Sequence, residues 1–70
     1  MSTRHLPARI GDLPPIGRPA TGALLEAGIT TLAQVATHSR TELLAMHGIG
    51  PKAIRILSDA LTENGLNFSD

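Results

Sequence analysis

Apolar residues recur at helical spacing over most of this chain, and the polar residues and glycines between them mark where each helix starts and stops. Ala20, Ala23, Leu24 and Ala27 share one face of a segment from about residue 18 to residue 27, which Gly28 ends. Thr31, three residues ahead of Gln34, carries the signature of a capping box and opens a second, short helix through Leu32 and Val35. Ser39 and Glu42 repeat that signature ahead of Leu43, Leu44 and Met46, which predicts a third helix ending at the turn around Gly48. A fourth helix runs from Pro51 to about residue 64, with Ala53, Ile54, Leu57, Ala60 and Leu61 on one side and Gly65 as its stop. No segment gives a strand signal. The pattern predicts an all-α domain over residues 13–70, a compact bundle of four to five short helices. Its expected core contains Leu24, Leu32, Val35, Leu44, Ile54, Leu57 and Leu61. Residues 1–12, with Pro7, Gly11 and no helical period, read as a mobile N-terminal arm.

The chain also matches itself. Ile16-Gly17-Arg18-Pro19-Ala20 aligns without a gap with Ile49-Gly50-Pro51-Lys52-Ala53, and the same alignment pairs Leu24 with Leu57 and Ala27 with Ala60. Either one turn-plus-helix unit has been duplicated, or two amphipathic helices match because any two do. The first copy has Pro15 where the second has Gly48, so its turn is stiffer and offers one N–H fewer.

Composition narrows the function classes. Seventy residues without cysteine make one small domain with a limited core, built from aliphatic side chains because Phe68 is the only aromatic. Base stacking on aromatic rings is therefore excluded as a binding mode. Six basic residues balance six acidic ones, so no global field attracts nucleic acid, and any contact with it must be local and weak. No apolar run has membrane-spanning length and no leader is evident, which leads us to expect a cytoplasmic protein, nucleoid-associated if it binds DNA. His5, His38 and His47 have no metal-ligand spacing, so neither a metal nor a cofactor is expected. His47 is expected to lie half-buried in its turn. Nothing resembles a Ser-His-Asp set or a carboxylate pair, and Gly48 to Lys52 lacks the spacing of a nucleotide-binding loop, so we expect no enzyme.

The chemistry concentrates in Met46-His47-Gly48-Ile49-Gly50-Pro51-Lys52-Ala53-Ile54. Glycines allow a tight turn and close approach of a ligand, and Pro51 suits the first helical position. Such a turn leaves backbone N–H groups and a positive dipole end facing outward with Lys52 beside them, an arrangement that suits phosphate. The pattern is that of the second hairpin in a helix-hairpin-helix unit, which binds DNA backbones without regard to sequence. Lys52 and Arg55 begin the last helix while Asp59 and Glu63 end it, opposite to the order the macrodipole favours by about 0.3–1 kcal/mol per charge. A bound anion would reverse that cost; the alternative is a solvated surface with Arg55 loosely paired to Asp59. With the first hairpin included, the candidate DNA contacts are Gly17, Arg18, Gly48, Ile49, Gly50, Lys52 and Arg55.

From Leu13 to Phe68 the sequence resembles the C-terminal domain of the bacterial RNA polymerase alpha subunit. The matching residues are Ala20 to Leu24 with Ile29 and Leu32, then Thr41-Glu42-Leu43-Leu44, Gly50, Lys52 and Gly65-Leu66. As in that family, the small residue after the second glycine is three places on, Ala53, with Ile54 following. The resemblance implies a double helix-hairpin-helix (SAM-like) architecture that meets DNA across the minor groove. Of the family's DNA contacts it carries the glycine to Gly50 and the lysine to Lys52. The arginine position holds Pro19, beside Arg18; the asparagine position holds Gly22 and the serine position Ala53. Two functions follow: a monomeric module that binds double-stranded DNA, or a protein-interaction domain that keeps the fold without the DNA role.

Overall fold

The computed structural model describes residues 10–70, which form four helices and, among the described residues, no strand. In chain order they are α1 (Arg18–Glu26), α2 (Leu32–Val35), α3 (Arg40–Leu44) and α4 (Pro51–Glu63). Of the mobile arm expected over residues 1–12, residues 1–9 lie outside the described residues.

The two shortest helices are held by their caps. Thr31 Oγ1 accepts the Gln34 N–H at 3.1 Å while Gln34 Oε1 accepts the Thr31 N–H at 3.1 Å, and Ser39 and Glu42 do the same for α3 at 3.1 and 2.9 Å. Each capping box satisfies two N–H groups that a helix start would otherwise leave without partners, so one turn of helix persists where propensity alone would not hold it. The Ser39 N–H, and after it the Ser39 hydroxyl and His38, hold the Glu42 carboxyl below its ordinary pKa.

The two longer helices close alike. At the end of α1 the Gly28 N–H donates to Leu25 O and the Ile29 N–H to Leu24 O; at the end of α4 Gly65 and Leu66 donate to Thr62 and Leu61. This is the Schellman arrangement, in which a glycine at positive φ turns the chain and brings the next apolar residue back over the last turn.

Leu13, Leu24, Val35, Leu43, Leu57 and Leu61 are the centre of a core that Ile29, Leu32, Ile49, Ile54 and Phe68 complete, with α2 and α3 both packed against α4. Of the expected core, Leu44 is the exception: it is 43% exposed and its neighbour Leu43 is fully buried. A five-residue helix presents only one residue squarely to its neighbour, and adjacent residues on a helix point about 100° apart, so burying Leu43 turns Leu44 outward. Ala27 is exposed rather than on the buried face, because it is the C-cap of α1, where the chain already turns toward Gly28.

The ordered chain also begins before Leu13. Ile10 packs on the core, Asp12 Oδ1 accepts the N–H of Leu32 at 2.8 Å, and Gly11, at φ +52°, lies so close to the Thr30 carbonyl that a Cβ there would overlap it. Residues 10–12, expected in the arm, thus bridge to the start of α2.

Candidate nucleic-acid interface

α1 and α4 differ from the other helices at their starts. Gly17 and Gly50 occupy their N-cap positions, neither with a side-chain cap, and a proline follows within the first two helical residues of each. The N–H groups of Gly50, Lys52 and Ala53 have no acceptor among the described residues, nor have those of Gly17, Arg18 and Ala20. The aligned repeat holds for burial, with Ala20 and Ala53, like Leu24 and Leu57, buried at equivalent places, but not for the caps: Gly17 sits at φ +89°, where a side chain is strained, whereas Gly50 is extended at φ −114°.

A shallow groove of about 290 Å³ runs between these two helix starts, with Gly17 and Pro19 on one wall and Gly48, Gly50, Lys52 and Ile56 on the other. The turns thus face one another across a shared depression. Arg18 and Arg55 are exposed but do not line it. Arg18, Lys52 and Arg55 form no ion pair with a described residue, so the expected alternative pairing of Arg55 with Asp59 is not made. α1 shows the charge order of α4, with Arg18 at its first residue and Glu26 at its last, so in both helices the side-chain charges oppose the macrodipole.

The three candidates in the second turn have different roles. Ile49 is 5% exposed, with its side chain in the core and its N–H donated to Met46 O at 3.2 Å, so it offers a ligand neither. Gly48, at φ +97°, is needed by the fold: a Cβ there would sit 2.7 Å from the carbonyl oxygen of Pro19, so its backbone lies directly on the first turn of α1. Gly50 has φ −114° and ψ −178°, extended backbone open to any residue, and a Cβ built on it meets nothing within 4 Å. Neither conformation nor packing requires a glycine there. His47, expected half-buried, is exposed because the close contact one residue later leaves its side chain outside the Gly48–Pro19 junction.

Pro19 and Ile56 line the groove although neither is among the contacts expected from the sequence. Pro19 acts through its carbonyl, which no side-chain pattern announces, and Ile56 is one position off the buried stripe of α4. Among the described residues no helix is long and apolar enough to cross a membrane, and no group of acidic or imidazole side chains is placed to hold a metal. Comparison with protein-family models, with curated proteins and with solved structures gave no match.

Proposed function

We propose that this domain is a small, non-enzymatic module that binds the backbone of double-stranded DNA across the minor groove, using two glycine-capped turns in a double helix-hairpin-helix arrangement. Gly50 carries the proposal. A serine or aspartate at an N-cap stabilises a helix, and here either fits the backbone and the space, yet the position holds a residue with no side chain to cover the N–H groups of α4. That choice suits a ligand that must come within hydrogen-bonding distance of the main chain and accepts only protons, as a phosphate does. Lys52 lines the same groove, and Arg18 and Arg55 supply positive charge outside it. With few phosphates reached and no net charge on the chain, binding is weak, sequence-independent and sensitive to salt, with a log-log slope of roughly −2 to −4.

The balanced charge and the replacement of the family's arginine by Pro19 favour the second function, a protein-interaction domain of the same fold. Lys52→Glu separates the two. A negative charge in the first turn of α4 suits the macrodipole and should leave thermal stability equal or slightly higher, while repelling a phosphate held at Gly50. Loss of duplex binding in a chemical-shift titration, with stability kept, is the expected result. Equal affinity in the variant would hand the function to the protein-interaction alternative.

A further inference from the structure

A larger groove, of about 430 Å³, lies beyond the Pro19–Gly48 junction, between the exposed side of α1 and the turn ahead of α4. Gly22 and Ala23 line it together with Leu25, Glu26 and His47. No lysine or arginine lines it, so it does not suit a phosphate. Leu25 is 41% exposed, and neither Glu26 nor His47 pairs with a described residue.

We propose that this groove is the interface of a weak two-fold dimer, and that its occupant is a second copy of this chain. A two-fold interface uses one patch twice, so that patch must contain both halves of every contact. This one does. Leu25 is a projecting apolar side chain, and Gly22 and Ala23 leave a hollow in which nothing larger than a methyl group stands. The Glu26 carboxylate is an acceptor and the His47 imidazole a donor, so under two-fold symmetry each chain's Glu26 meets the other's His47. Glu26 is also the last residue of α1, where the negative end of the helix dipole disfavours a carboxylate, and a donor from the partner offsets that cost. Seven residues line the groove, against the roughly 20–30 a side of a stable complex, so association through it is weak. The chain is therefore a monomer at micromolar concentration and pairs on the order of 1 mM.

Sedimentation equilibrium without DNA, from about 10 μM to about 1 mM, tests this independently of the phosphate proposal. The average mass should climb from the 7.3 kDa of one chain toward twice that value. Leu25→Asp should remain monomeric throughout with an unchanged circular dichroism spectrum, since Leu25 is not part of the core. Glu26→Lys and His47→Glu should each weaken association on the order of fivefold. Mixed in equal amounts, these two variants should recover it, because the mixed pair joins the introduced lysine to the introduced glutamate and keeps one native Glu26–His47 contact. A mass of one chain at the highest concentration, a dimer indifferent to Leu25→Asp, or a mixture no better than its components would each overturn the proposal.

Discussion

If the proposed phosphate contact at Gly50 is made, replacing Gly50 with aspartate should make the domain more stable and weaken duplex binding at once. The backbone at this N-cap is extended and the space for a side chain is open, so the carboxylate can turn back onto the N–H groups of Lys52 and Ala53. Capping over glycine is worth a few tenths of a kcal/mol, the charge at a helix start about 0.3–1, and the reduced freedom of the unfolded chain about 0.4–1. Even the low end of that sum, about 1 kcal/mol, raises the melting temperature of so small a domain by about 4–8 °C. The same carboxylate occupies the N–H groups proposed to hold phosphate and places a negative charge there. Losing one charge-assisted contact of about 1.5–3 kcal/mol lowers duplex affinity by on the order of 10- to 100-fold. Thermal unfolding followed by circular dichroism and a duplex titration at low salt, on the same sample, read both changes. Gly50→Asn, with the same shape and no charge, separates obstruction from repulsion. Higher stability with unchanged affinity would falsify the phosphate assignment, and lower stability would show that the position needs its glycine for the fold.

Other substitutions probe the scaffold. Gly48→Ala combines a left-handed backbone with a clash on Pro19 and should cost about 2–4 kcal/mol in chemical denaturation, in contrast to the gain at Gly50. Leu57→Ala removes a fully buried side chain from the centre of α4 and should cost about 2–5 kcal/mol; a loss below 1 kcal/mol would mean that the core closes around the gap. Because the folded protein depresses the Glu42 pKa, the ionised carboxylate contributes stability that is complete above the ordinary glutamate pKa of about 4.3 and lost as pH falls through the lower folded value. Glu42→Gln keeps an acceptor for the Ser39 N–H, so its unfolding midpoint should change little at neutral pH and fall less steeply on acidification than the parent's.

Most of the helical framework was legible because short-range rules set it. The capping boxes at Thr31 and Ser39, the stops at Gly28 and Gly65 and the start at Pro51 each depend on residues within one turn, and all appear where the sequence puts them. What escaped depends on residues far apart in the chain. Asp12 reaches across to Leu32, and Leu44 faces solvent because α4 takes Leu43 instead. The candidate site divides in the same way. Gly17, Gly50 and Lys52 could be read from the repeat, but the two glycines of the second turn look equivalent in sequence. Only the position of Pro19 shows that Gly48 serves the fold and leaves Gly50 without a structural reason.

The Gly48–Pro19 junction has a further consequence for how this surface can change. Its width is set where main chain meets main chain, so the distance between the two bare helix starts does not depend on the side chains at the rim. Pro15 and Lys52, exposed residues that line the groove, can therefore be varied together while the span stays constant. A library built on those two positions with Gly48 held fixed would retune what the groove prefers on a ruler whose length mutation at the rim does not reset.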